Sequence, residues 1–152
     1  MRLTTKGRYG VRAVLNLAAN FANRPISIKR IASEEGISPE FLEQIFFKLK
    51  KSGIISSVRG PGGGFILTRK PGEVTIKDVL EAVGEPTFPT PCTDPDDPDR
   101  CERKPLCHVT ETWQQFNEVI NNFLNGLTLK DVLEQNGGTF SQKIEQGQNF
   151  AI

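Results

Sequence analysis

Residues 38–67 read SPEFLEQIFFKLKKSGIISSVRGPGGGFIL, and this stretch decides the fold. Ser38 suits a helix N-cap, and Pro39 suits the first helical position, where a missing N–H costs nothing. Apolar residues recur at helical spacing and predict one buried face: Leu42, Ile45, Phe46 and Leu49. Gly53 ends the predicted helix just after a lysine-rich last turn. We therefore expect a helix with one apolar face and a basic C-terminal end.

A β-hairpin is predicted directly after this helix. Residues typical of strands lie on both sides of RGPGGG, residues 59–64. The four glycines and one proline of this segment cannot continue either strand, so they predict the hairpin tip. Because the tip has almost no side-chain bulk, its backbone can approach a surface closely while Arg59 reaches into it. A helix followed by such a hairpin is the arrangement of a winged helix-turn-helix, in which the helix enters the major groove of DNA and the arginine of the wing reaches the minor groove or the backbone.

Three more helices complete the predicted N-terminal domain. The first runs from about residue 7 to residue 22. Its expected inward residues are Val11, Val14, Leu15, Ala18 and Phe21 or Ala22. The second is short, begins after Ser27 and ends at Gly36, so that it and the helix after Ser38 follow the helix-turn-helix order. The third begins after Thr75 and turns Val79 and other apolar residues toward the core.

Charge is divided unevenly along the chain. Residues 1–84 hold 14 Lys and Arg against 7 Asp and Glu, a net charge of +7, whereas residues 85–152 hold 5 against 11, a net charge of −6. A basic half followed by an acidic half indicates that the first half faces a polyanion. Arg2 and Lys6 make the start of the first helix basic. Tyr9 nearby is either a packing residue or a contact to a phosphate or a groove.

Composition limits the remaining function classes. No apolar run approaches the roughly 20 residues that a membrane span needs, and the polar, basic start MRLTTKGRYG does not resemble a signal peptide, so we expect a cytoplasmic protein with no membrane contact. An enzyme or electron carrier is disfavoured, because the chain has one histidine, no Ser/His/Asp set, and no helix after glycines 62–64 to bind a nucleotide phosphate.

Three cysteines lie in an irregular, proline-rich and acidic segment. Cys92, Cys101 and Cys107 fall within sixteen residues, and the only histidine, His108, follows the last of them. These ligand types suit an iron–sulfur cluster or zinc, but the spacing differs from that of a zinc finger, and a long loop can wrap around a larger inorganic core. The alternatives are a thiol redox pair or thiols with no ligand role. Adjacent side chains at 107 and 108 diverge, so both can bind one cluster only if the backbone bends there.

A further helix is predicted from residue 107 or 108 to residue 125, with a stripe of Trp113, Phe116, Ile120, Phe123 and Leu124. Because little core remains for it within one chain, we expect it to pair with the same helix of a second copy. A short helix capped by Thr128 follows it, and the last residues are polar and without pattern.

These elements predict a mainly α-helical chain with a small β-hairpin wing, in four parts. They are a winged helix-turn-helix DNA-binding domain at 1–84, a cysteine loop at 85–106, a dimerisation helix with a short capping helix at 107–136, and a disordered tail at 137–152.

With the helix, wing and cysteine loop established, the sequence resembles the IscR/NsrR/CymR class of bacterial winged-helix regulators, and within it the regulators of iron–sulfur-cluster assembly. The resemblance rests on MRLTTKGRYGVRA at the start, on ISPEFLEQIFFKLKKSGIISSVRGPGGGF, and on the three cysteines followed by Trp113. It implies a homodimer that binds a palindromic promoter site and usually represses cluster-assembly genes. It also implies an iron–sulfur cluster held by Cys92, Cys101 and Cys107, with [2Fe–2S] as the preferred type. Occupancy of this cluster site would change which DNA sites are bound.

The resemblance also implies roles on the DNA. Arg59 would enter the minor groove, while Glu43 and Gln44 would read bases through a cytosine amino group and an adenine. Glu40 adds a negative charge to the groove-facing turn, so site preference can differ from that of related regulators. The candidate DNA-contacting residues are Arg2, Lys6, Tyr9, Ser38, Glu40, Glu43, Gln44, Lys48, Arg59, Gly60 and Gly62.

Two positions depart from the class. Its histidine ligand, three residues after the third cysteine, is replaced by Thr110, and the aspartate ligand of some members is replaced by Arg8. The fourth cluster ligand is therefore open between His108, a residue from elsewhere and an exogenous group. A sensor of thiol oxidation, nitric oxide or zinc on the same DNA-binding scaffold is the alternative function.

Overall fold

The computed structural model describes residues 1–21 and 24–135, which fold as six α-helices and one antiparallel hairpin. The helices are α1 (Thr5–Ala19), α2 (Ile28–Glu35), α3 (Pro39–Lys51), α4 (Ile76–Ala82), α5 (Thr110–Gly126) and α6 (Leu129–Gln135). The strands are β1 (Ile55–Val58) and β2 (Gly64–Leu67). This confirms the predicted mainly helical fold with a β-hairpin wing. The predicted tail at 137–152 lies outside the described residues.

Four helices begin at the predicted caps. The hydroxyl groups of Ser27, Ser38, Thr75 and Thr128 each accept a hydrogen bond from the backbone N–H three residues later, at 3.1–3.2 Å. These bonds satisfy donors that the first helical turn would otherwise leave unpaired. Gly36 ends α2 in the left-handed conformation, with φ 64°, and so turns the chain from α2 into α3.

The bounds of α1 differ from the prediction. The helix begins at Thr5 because the Thr4 hydroxyl accepts the N–H of Gly7 at 3.3 Å, and it ends at Ala19. Phe21, one of the two alternatives for the last inward residue, follows the helix and is exposed, and the other, Ala22, lies outside the described residues. The apolar spacing also did not indicate Ala13 and Leu17 as inward residues, although both are buried in the core.

The core joins the N-terminal domain to the last two helices. Leu124 of α5 and Leu129 of α6 are buried in the same apolar cluster as the helix-turn-helix residues. The backbone N–H of Ile76 donates to Leu127 O and that of Leu129 donates to Val74 O, both at 2.9 Å. The expectation that α5 finds little core in its own chain is therefore wrong for its C-terminal end. No helix in the described ranges combines the length and apolar character required to cross a membrane.

Candidate nucleic-acid interface and cysteine loop

Helix α3 has an apolar inner face and a mostly polar outer face. The residues predicted to be buried, Leu42, Ile45, Phe46 and Leu49, are all in the core. On the other side, Glu40, Glu43, Gln44, Phe47 and Lys48 are exposed. The outer face therefore presents carboxylate and amide groups of the kind that hydrogen-bond to base edges.

The hairpin carries Arg59 at its tip. Val58 pairs with Gly64, so residues 59–63 form the turn, which is closed by a hydrogen bond from Gly63 N–H to Gly60 O at 2.9 Å. Gly60 and Gly62 have φ of 98° and 73°, conformations that residues with a Cβ rarely adopt. The structure thus confirms a slim tip with an exposed Arg59. Gly64, which we expected in the tip, is instead the first residue of β2, because its extended backbone pairs with Val58.

The wing is fixed to α3 by two contacts. The Lys50 ammonium donates to the Ser57 hydroxyl of β1 at 2.9 Å, and the rings of Phe46 and Phe65 meet edge to face with their centroids 4.8 Å apart. In addition, Ile26 and Phe65 exchange backbone hydrogen bonds at 2.8 and 3.1 Å, which tie β2 to the segment before α2. These contacts hold the wing and α3 in one fixed relationship.

Tyr9 joins α1 to α3. Its half-buried ring packs edge to face on Phe41, with ring centroids 5.7 Å apart, and the Arg12 guanidinium lies 5.4 Å from the Tyr9 ring centroid. Arg12 also pairs with Glu35 at 3.3 Å. The ring of Tyr9 therefore has a packing role, and its contact with DNA stays a prediction.

Two lysines predicted to contact DNA lie beside the end of α4. The ammonium of Lys6, from α1, lies 3.4 Å from Gly84 O, and that of Lys48, from α3, lies 3.4 Å from Val83 O. Cations are stabilised by the partial negative charge at the C-terminal end of a helix. The fold therefore gathers two positive charges from distant parts of the sequence beside one turn.

Glu85 is a residue that sequence reasoning missed. Its carboxylate is only 4% exposed and accepts hydrogen bonds from the backbone N–H and the hydroxyl of Thr4. Because its partner lies 81 residues earlier, no local pattern could have indicated this contact. It fixes the segment that carries Arg2 and Lys6 to the end of α4.

The structure thus connects α1, α3 and the wing through direct contacts. Of the predicted DNA-contacting residues, it leaves these exposed: Arg2, Ser38, Glu40, Glu43, Gln44, Lys48, Arg59, Gly60 and Gly62. Lys6 and Tyr9 are half-buried.

The cysteine loop begins with a buried thiol. Cys92 lies in a short 3₁₀ turn, Pro91–Thr93, with its sulfur 3.2 Å from the Thr90 hydroxyl oxygen. The Asp94 carboxylate, also buried, accepts the Asp96 N–H at 3.0 Å and pairs with Arg100 at 3.7 Å. The first half of the loop is therefore ordered by its own hydrogen bonds.

The other two cysteines are more accessible. Cys101 and Cys107 are half-buried, and His108 is exposed ahead of α5. Hydrogen bonds, first from the Val109 backbone and then from the Thr110 side chain, lower the pKa of the Cys107 thiol. This favours the thiolate, which is the form that binds metals. Within residues 1–21 and 24–135, however, no three Cys, His, Asp or Glu side chains lie close enough together to hold a metal ion.

Helix α5 is exposed along its first half. It begins at Thr110, later than predicted, and Asn121 ties it to the cysteine loop by donating to Thr87 O at 3.1 Å. Trp113 and Phe116 are 37% and 43% exposed, with ring centroids 6.5 Å apart, and Phe123 is 37% exposed. An apolar face of this kind suits contact with another protein surface.

Comparison with known proteins shows that this chain is similar to bacterial transcriptional regulators. The model of the Rrf2 family, described as an iron-dependent transcriptional regulator, matches residues 3–135. The HTH-type transcriptional regulator IscR of Klebsiella pneumoniae is 38% identical over 133 residues, which cover 88% of this chain and 80% of that protein.

Two solved structures have a similar fold. The structure of T. potens IscR has a TM-score of 0.71 at 33% identity and covers 90% of this chain and 88% of its own. CymR (YrzC), the global cysteine regulator of B. subtilis, has a TM-score of 0.71 at 29% identity and covers 87% of this chain and 95% of its own.

Proposed function

This chain belongs to the Rrf2 family of transcriptional regulators, and on that premise we propose that it is a homodimer whose choice of promoter depends on an iron–sulfur cluster. It is a DNA-binding regulator, and its named relatives are regulators rather than enzymes. The observation that carries the proposal is the exposed face of α3, whose buried Phe46 packs on Phe65 of the wing and so positions α3 relative to Arg59.

On the DNA, α3 lies in the major groove and the wing lies against the adjacent minor groove. Glu43 accepts a hydrogen bond from a cytosine amino group, and Gln44 pairs with an adenine. Arg59 enters the minor groove, where a narrow groove concentrates negative potential. Lys6 and Lys48 contribute positive charge beside the phosphates, which adds affinity without sequence preference.

The dimer forms through α5. Its C-terminal end is anchored in the core by Leu124, which leaves Trp113 and Phe116 available for the same helix of a second copy. A two-fold dimer presents two α3 helices and therefore reads a palindromic site. The exposed aromatic residues are the support for this arrangement.

The cysteine loop holds the cluster. The donor set fits such a group, since Cys92, Cys101 and Cys107 are not joined in disulfides and hydrogen bonds from Val109 and Thr110 lower the pKa of the Cys107 thiol. When bound, the cluster would make the state of the protein depend on iron supply and on oxidants. Because the three sulfurs are not gathered in this structure, we infer that cluster binding rearranges the cysteine loop, which connects α4 to α5. The fourth ligand is His108, a residue from elsewhere or an exogenous group.

The proposed targets are promoters of cluster-assembly genes, which the protein represses. A second candidate is a thiol switch on the same scaffold, favoured by the half-buried position of Cys107 and by the lowered pKa of its thiol. Oxidant-sensitive DNA binding by metal-free protein would support this second candidate.

The test is iron and sulfide analysis of the full chain purified without oxygen, together with its absorption spectrum. We expect iron and sulfide in equal amounts in the wild type and their loss in Cys101→Ala. His108→Ala is the matched comparison, because retention of the cluster in this variant removes His108 from the ligand set. Zinc in place of iron, or iron and sulfide undiminished in Cys101→Ala, would contradict the cluster assignment.

A further inference from the structure

The ring of Phe47 has no role in the function described above. It lies on α3 and is 71% exposed, although phenylalanine is a residue that proteins usually bury. We propose that Phe47 contacts the 5-methyl group of a thymine in the major groove and so selects thymine at one position of each half-site. This inference rests on the proposed placement of α3 in the groove.

The position of Phe47 on α3 follows from the helix geometry. At about 100° per residue, Phe47 is roughly 40° from Glu43 and roughly 60° from Gln44 around the helix axis. The buried residues Leu42, Ile45, Phe46 and Leu49 all lie on the opposite side. Phe47 therefore shares the outer face with the two residues proposed to read bases, and it cannot turn into the core without displacing that buried row.

The chemistry of the ring limits what it can recognise. A phenyl group has no hydrogen-bond donor or acceptor, so it gains little from the polar edges of adenine, guanine or cytosine. Thymine alone presents an alkyl group, its 5-methyl, on the major-groove edge, and phenylalanine is one of the side chains that contact it. Covering that methyl removes apolar surface of both partners from water.

The distance along α3 places the contact beside the polar ones. Phe47 is one turn beyond Glu43, about 6 Å along the helix axis, and successive base pairs rise by about 3.4 Å. The selected thymine should therefore lie within about two base pairs of the pair that Glu43 reads.

DNA is a better partner for the exposed Phe47 ring than a protein surface is. Phe47 is flanked on the exposed side by Glu43, and the last turn of α3 contains Lys48, Lys50 and Lys51. With Glu40 and Glu43 included, α3 has a net charge of +1, and residues 1–84 have a net charge of +7, which favours a polyanion as the partner. A single ring among charged groups also offers less apolar area than the core of a protein interface.

The experiment starts with a duplex selected from a random pool by wild-type protein. Each thymine of that duplex is then replaced in turn by deoxyuridine, which lacks only the 5-methyl group. We expect one replacement in each half-site to weaken wild-type binding about fourfold, the factor for one buried methyl group. Phe47→Ala should bind the thymine and deoxyuridine duplexes equally. Phe21→Ala, which truncates an exposed phenylalanine outside α3, should keep the wild-type difference.

The outcomes separate this inference from the function on which it rests. Wild-type binding that is insensitive to every replacement, or a Phe47→Ala protein that keeps the methyl preference, would overturn the role of Phe47 alone. A change of oligomeric state in Phe47→Ala with unchanged methyl preference would assign the ring to a protein contact and would also overturn it. Failure of the wild type to select any duplex would overturn the DNA-reading function itself.

Discussion

The Glu85 carboxylate, buried just after α4, accepts the backbone N–H of Thr4 at 2.8 Å and the Thr4 hydroxyl as well. This contact joins two residues that lie 81 positions apart in the sequence. It places the basic start of α1 beside the first residue of the cysteine loop. A rearrangement of that loop would therefore act close to residues proposed to contact DNA.

Removal of this contact should destabilise the fold. In Glu85→Ala the backbone N–H of Thr4 loses its partner, and we expect the free energy of unfolding to fall by about 1–3 kcal/mol in urea denaturation. Glu81→Ala is the control, because Glu81 is exposed and makes only a surface ion pair with Lys77 at 3.5 Å. Its effect should stay within about 0.5 kcal/mol. Equal stability of the two variants would show that the Glu85 contact is unimportant.

The close approach of β2 to the segment before α2 gives a second prediction. Gly64 has φ 158°, and a Cβ there would lie 2.3 Å from Ile26 O. Gly64→Ala should therefore break the Ile26–Phe65 bridge and lower the free energy of unfolding by about 1–3 kcal/mol. Gly72→Ala is the matched control, since its Cβ would meet only Lys130 Cδ at 3.7 Å. Unchanged stability of Gly64→Ala would contradict the close packing described here.

Arg59 should contribute to affinity without contributing to stability. Because its side chain is exposed, Arg59→Ala should unfold like the wild type yet bind a selected duplex more weakly by about 1–3 kcal/mol, with a shallower salt dependence. Fluorescence anisotropy at several salt concentrations measures both. Arg69→Ala, an exposed arginine after β2 that donates to Glu73 O at 3.2 Å, serves as the comparison. If both variants bind alike, the wing does not have the role proposed for it.

The exposed half of α5 should control oligomeric state. Replacement of Trp113 and Phe116 together by alanine should raise the dimer dissociation constant at least about tenfold, since aromatic residues at an interface commonly contribute more than about 1 kcal/mol each. Sedimentation analysis measures the change, and the Phe21→Ala protein controls for loss of an exposed aromatic ring. A dimer of unchanged strength in the double variant would place the interface elsewhere.

Sequence patterns predicted those parts of the fold that depend on neighbouring residues. The caps at Ser27, Ser38 and Thr75 and the turn at Gly36 each arise from hydrogen bonds or backbone angles within a few residues, so they are visible in a short window. The hairpin tip was predictable for the same reason. The end of α1 was not predictable, because the apolar spacing continues to Phe21 or Ala22, beyond the point where the helix stops.

Contacts between distant residues could not be predicted in this way. Glu85 precedes a proline in an acidic segment and gives no local sign that it binds Thr4. The approach of Lys6 and Lys48 to the same turn likewise depends on how α1, α3 and α4 pack. For the cysteines, spacing indicated a ligand set, but spacing does not determine the path of an irregular loop.

The most direct test of the account is duplex selection from one random pool by two proteins, the cluster-containing wild type and Cys101→Ala, both handled without oxygen. We predict that each protein enriches duplex sequences and that the two enriched sets differ, because the proposed function makes promoter choice depend on the cluster. Enrichment of the same sequences with the same affinities by both proteins would contradict control of DNA binding by the cluster.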